Sequence, residues 1–107
     1  MHLHVVCTDP CKNELQLIVS ITGWTNNLCD SSCVLEVGDH TWLTKKSWVI
    51  YRKARTELAA TLASGVDRGL FIPKDPMVDG VFERVCGGIL SSPHTPRGMK
   101  KYYKQQM

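Results

Sequence analysis

Polar and apolar positions alternate through the first half of this 107-residue chain, and the apolar spacing lengthens to a helical one in the second half. Leu15, Leu17, Val19 and Ile21 alternate with Gln16, Ser20 and Thr22, interrupted only by Ile18, which predicts a half-buried strand. A shorter β-branched run, His2 to Thr8, precedes it. The intervening Asp-Pro and Asn residues of DPCKN favour a turn, so the two runs are expected to form an antiparallel hairpin. Residues 23–32 read as a polar loop. Cys33, Leu35 and Val37 alternate again, Gly38-Asp39 makes a turn, and Ser47 to Lys53 forms a further strand with aromatic and β-branched character.

Helical signals come later. Glu57 to Ser64 is rich in Ala and Leu and is followed by Gly65, a helix stop. Asp75-Pro76 offers an N-cap and a proline at the first helical position. Beyond it Met77, Val78, Val81, Phe82, Val85, Cys86, Ile89 and Leu90 recur on one helical face. The expectation is one mainly β domain with added helix over 1–92, followed by an exposed, flexible basic tail over 93–107 that carries Pro93, Pro96, Gly98 and KKYYKQQ.

A hydrophobic content of 43% over this length supports one modest core and no second domain. Thirteen Lys and Arg against ten Asp and Glu leave a net charge of +3, milder than that of dedicated nucleic-acid binders. The basic residues concentrate in Lys45 to Arg55 and Arg97 to Lys104. No run reaches the roughly 18 apolar residues of a membrane span. The opening MHLHVVCTDP has neither the basic start nor the long apolar stretch of a signal peptide, so a cytoplasmic protein without membrane association is expected.

Gly38 to Arg55 places proton-transfer groups, Asp39 and His40, a few residues from Lys45, Lys46, Arg52, Lys53 and Arg55. Carboxylate, imidazole and several cations suit a site that holds or cuts a phosphodiester, and equally suit a solvated surface. Trp42, Trp48 and Tyr51 offer faces on which bases can stack, or core bulk. Five cysteines form two C-x3-C pairs, Cys7 with Cys11 and Cys29 with Cys33, leaving Cys86 over. Four thiolates suit tetrahedral zinc, although C-x2-C is the commoner spacing. The alternative is that Cys7 and Cys33 are small buried residues of strands.

The order of these elements, with ELQLIVSITG, LTKKSWVIYRKART and GLFIPKDPMVDGVFERVCGGIL, resembles the MazF/PemK family of toxin endoribonucleases, which share a small SH3-like β-barrel with the CcdB poisons. The resemblance covers roughly residues 2–92. It implies that barrel with a C-terminal amphipathic helix, metal-independent cleavage of single-stranded RNA with no cofactor, a homodimer and an antitoxin partner. His2 falls where the family has the arginine of its R-P pair, Thr22 at its threonine, and Arg55-Thr56 at its closing R-T. The family's aspartate is replaced by Arg52, and the family's opening strand and long loop have no counterpart before His2. Catalysis is therefore expected of His40, Asp39, Arg55 and His2, and nucleic-acid contact of Arg52, Lys45, Lys46, Lys53 and Thr22. A non-catalytic nucleic-acid- or protein-binding module on the same barrel is the alternative, and a zinc module on Cys7, Cys11, Cys29 and Cys33 the weaker one.

Overall fold

The computed structural model of the chain describes residues 3–69, 72, 74 and 76–107. Four strands, β1 (Leu3–Val6), β2 (Leu15–Gly23), β3 (Val34–Leu35) and β4 (Ser47–Leu58), form one antiparallel sheet in the order β1-β2-β4-β3. The sheet curls into a half-barrel and is joined by three helices, α1 (Ala59–Asp67), α2 (Asp79–Ser91) and α3 (Arg97–Gln106). The expected β1–β2 hairpin is present, with Leu3 opposite Ile21 and Val6 opposite Ile18. Its turn ends on Glu14, a non-glycine residue held at a φ of 61°.

Strand β4 is the spine of the fold. From Ile18↔Arg55 to Ser20↔Ile50 the pairing advances two residues on β2 and five on β4, so β4 carries three surplus residues in a pronounced bulge. The bulge resets the alternation. Tyr51 and Ala54, three apart, both turn into the core, and Arg52 and Lys53 between them are exposed. Beyond the bulge β4 continues through Glu57 and Leu58, opposite Gln16 and Leu15, where local composition predicts helix. Pairing with β2 overrides the helical preference of these two residues.

One face of the sheet carries the core. Leu3, Val5, Leu17, Val19, Ile21, Leu35, Val49 and Tyr51 pack there with Val81, Val85, Cys86 and Ile89 of α2. Ile18, Ser20 and Ile50 point the other way and are buried too, which is why Ile18 breaks the polar alternation of β2. Tyr51 is fully buried and its hydroxyl donates to the Val85 carbonyl at 2.6 Å, against the backbone of Gly88. A Cβ at position 88 would overlap the Tyr51 phenol ring, so glycine is what lets α2 approach the bend in β4.

The helix boundaries differ from expectation at two points. Helix α1 runs through the buried Gly65 to Asp67. The glycine that ends it is Gly69, at a φ of 75°, with its N–H bonded to Val66 O. Helix α2 begins at Asp79 with extended Val78 as its N-cap, so Pro76 precedes the helix and is not its first residue. Asp75 lies outside the described residues. Gly38 does turn the chain as expected, at a φ of 105°. The segment expected as a flexible tail is helical over Arg97–Gln106 and docks through Met99, Tyr102 and Tyr103 on the core. Among the described residues no helix is long and apolar enough to cross a membrane.

Candidate nucleic-acid interface

Helix α3 has two chemically distinct faces. Met99, Tyr102 and Tyr103 recur at helical spacing and rest on α2 and β4, and the Tyr102 hydroxyl donates to Leu15 O at 2.9 Å. Arg97, Lys100, Lys101 and Lys104 form the other face and, with Gln105, line a shallow open groove. From Arg97 to Lys104 the stripe runs for about 10 Å of helix. No Asp or Glu occurs between residues 93 and 107, and none of the four cations has an ion-pair partner among the described residues. Their charge is therefore directed to solvent without local neutralisation.

The second basic group sits where β2 meets β4. Gly23 pairs with Ser47 and Thr22 with Trp48, while Trp24 N–H bonds Lys46 O at 2.9 Å. The Lys45 side chain lies over Gly23, and Lys46 Nζ stands 4.5 Å from the centre of the Trp24 ring. Of the residues expected to contact nucleic acid, Thr22, Lys45 and Lys46 are thus gathered at one end of the sheet. Arg52 and Lys53 occupy the β4 bulge, further along the strand. Both are exposed and neither has an ion-pair partner among the described residues.

The residues expected to be catalytic have structural partners. Asp39 accepts the Glu36 N–H at 2.8 Å and faces Arg84 of α2 at 3.6 Å, while Arg84 also donates to Val34 O at 2.7 Å. His40 is buried, and its Nδ1 accepts the Trp42 N–H at 3.1 Å. The lone pair on that nitrogen is therefore committed, and a neutral ring carries its proton on Nε2. Arg55 pairs with Glu57 at 2.9 Å on the exposed side of β4. It lies eight residues along the strand from Ser47, where the His40 loop enters β4. His2 lies outside the described residues.

The cysteines are arranged differently from their sequence spacing. Among the described residues no three His, Cys, Asp or Glu side chains converge as a metal site would, so Cys7, Cys11, Cys29 and Cys33 do not form the tetrahedral set that two C-x3-C pairs suggest. Cys7 follows β1 and Cys33 precedes β3, both buried as small core residues. Cys11 lies beside the Tyr102 hydroxyl, which lowers its pKa, and Cys29 is held lower by the Thr25 hydroxyl.

One polar cluster has no counterpart in the sequence reading. Asp30 accepts from the N–H and hydroxyl of Ser32 and, through Oδ2, from the hydroxyl of fully buried Ser92 at 2.6 Å. Partial burial opposes its charge, but the Ser32 and Ser92 hydrogen bonds and nearby His94 outweigh it and hold the carboxyl below its ordinary pKa. The cluster ties the loop after β2 to the end of α2. In sequence its only signal is a polar run, CDSS, that reads as solvent-exposed loop.

Comparison with protein-family models, with curated proteins and with solved structures finds no match to this chain.

Proposed function

We propose that this protein is a nucleic-acid-binding module that grips RNA by its phosphate backbone, with α3 as the principal contact. The observation that carries this reading is the stripe of Arg97, Lys100, Lys101 and Lys104, unneutralised on one face of a helix whose other face is anchored to the core. Four cations on a fixed helix need little ordering to meet successive phosphates, and each contact releases condensed counterions. Lys45 and Lys46 at the β2–β4 end, and Arg52 and Lys53 in the bulge, add exposed cations to the same protein. The curled sheet with its bent central strand is the part of the architecture that supports reading it as a divergent SH3-like barrel of the PemK type. Binding is preferred to cleavage because Asp39 Oδ2, His40 Nδ1 and Arg55 Nε are each engaged by a different neighbour in the fold.

The test is filter binding of labelled single-stranded RNA across a salt titration, in EDTA. Affinity is expected to fall steeply with salt, and the RNA to be recovered intact. Affinity that does not respond to salt, or absence of binding at low salt, overturns the proposal. Cleavage that disappears in His40→Ala and Arg55→Ala would instead establish the endoribonuclease.

A further inference from the structure

Cys86, left over when the cysteines are paired by spacing, acquires a partner in the fold. It sits in the middle of α2, with its thiol 3.9 Å from the carbonyl oxygen of Cys7, the residue at which the chain leaves β1. That thiol donates to the carbonyl, which brings the two cysteines together although 79 residues separate them in the chain. Cys7 is otherwise tied down locally, its thiol 3.7 Å from Val5 O and its N–H bonded to Leu17 O at 2.8 Å. The rest of the surroundings come from α3: the Tyr103 hydroxyl reaches Cys86, just as the adjacent Tyr102 reaches Cys11. Both sulfurs are buried, and all five cysteines are present as free thiols.

We propose that Cys7 and Cys86 are a redox-active pair, oxidised by a hydroperoxide to an intramolecular disulfide that ties the end of β1 to α2 beneath α3. The Cys86 sulfur attacks the peroxide oxygen, the O–O bond breaks, and the leaving alkoxide or hydroxide takes a proton. Cys86 is then a sulfenic acid. The Cys7 sulfur attacks the Cys86 sulfur, the S–O bond breaks, and the departing hydroxide takes the Cys7 proton as water. With hydrogen peroxide the sum is two thiols and one peroxide giving one disulfide and two waters. The order of events follows the surroundings of the two sulfurs. The neighbouring Cys7 thiol and the Tyr103 hydroxyl outweigh burial and lower the pKa of Cys86, while the neighbouring Cys86 and burial push that of Cys7 up. Cys86 is the attacking sulfur and Cys7 the resolving one. Access requires only a small oxidant and local opening of α3, the last helix of the chain, held by one face. This inference does not depend on the nucleic-acid reading.

The experiment uses the full chain carrying Cys11→Ser and Cys29→Ser, which removes the two more exposed thiols and leaves Cys7, Cys33 and Cys86. The reduced protein is treated with one equivalent of hydrogen peroxide, alkylated and mapped by mass spectrometry without reduction. A loss of two hydrogens is expected, with a cross-linked peptide pair containing Cys7 and Cys86 and with Cys33 alkylated. Closing so long a loop should raise the melting temperature by on the order of 10 °C, reversibly on reduction. Recovery of Cys7 and Cys86 both alkylated, a bridge from either to Cys33, or a dimer linked through any of the three overturns the proposal.

Discussion

Two segments of this protein are rich in charge, and the fold treats them in opposite ways. Around the His40 loop and the far end of β4, Asp39 is bound to a backbone N–H and faces Arg84, His40 to the Trp42 N–H, and Arg55 to Glu57. On α3, Arg97, Lys100, Lys101 and Lys104 have no ion-pair partner among the described residues and share one face. The first segment has the more varied chemistry in sequence, the second the plainer. What separates them is whether the fold supplies partners. A charged group whose hydrogen-bonding capacity is used internally shapes a turn, whereas one left to solvent is available to a ligand.

The sharpest way to break this contrast is to damage the internally engaged side. Gly88→Ala sets a methyl group against the Tyr51 ring and should cost about 3 kcal/mol in denaturant unfolding. Tyr51→Phe alone should cost about 1 kcal/mol, by loss of the bond to Val85 O. If Gly88→Ala is neutral, the close approach of α2 to β4 is wrong.

Next in size is the exposed side. Replacing Lys100, Lys101 and Lys104 together by Ala should lower RNA affinity at least about tenfold at moderate salt and reduce the slope of log K against log salt by roughly two to three. Stability should change by less than about 0.5 kcal/mol for each site, since these side chains contact solvent. Unfolding curves and salt-dependent binding measured on the same variant separate the two effects, and an unchanged slope would remove α3 from the interface.

Asp30 offers a smaller test of internally spent charge. Its carboxyl is held below the ordinary carboxylate range in the folded protein. The stability it contributes is therefore complete above the unfolded value of about 3.9 and fades as pH falls through the lower folded value. Asp30→Ala should cost about 1–2 kcal/mol at neutral pH, by loss of hydrogen bonds from Ser32 and Ser92, and the deficit should shrink in acid. A deficit that is constant from pH 7 to pH 2 would contradict that ionisation.

The smallest effect is expected at Arg55. Its pair with Glu57 is exposed on an outer strand face, so Arg55→Ala should alter stability by less than about 0.5 kcal/mol and leave the salt slope of RNA binding almost unchanged. A large loss of binding would move the interface from α3 towards β4.

Much of the first half of the fold is legible in the chain because strand alternation is local. The β1–β2 hairpin, the inward set of β2 and the start of β4 all follow from period-two patterning and turn residues. The continuation of β4 through Glu57 and Leu58 is not, because it depends on strand partners some forty residues away in β2. The inward face of α2 is visible in its spacing, whereas the reason for Gly88 emerges only when Tyr51 arrives from β4. The basic character of Arg97 to Lys104 is plain in sequence. That these residues form a docked helix is not, since Tyr102 and Tyr103 meet Leu15, Cys11 and Cys86 from distant parts of the chain.

By itself, then, the sequence determined an antiparallel hairpin, the start of a further strand and an amphipathic helix, because periodicity and turn chemistry act over a few residues. The tertiary structure alone decided which charges are spent and which cysteines meet. Hydrogen bonding, burial and thiol contact depend on neighbours brought together by packing, and spacing along the chain carries no record of them.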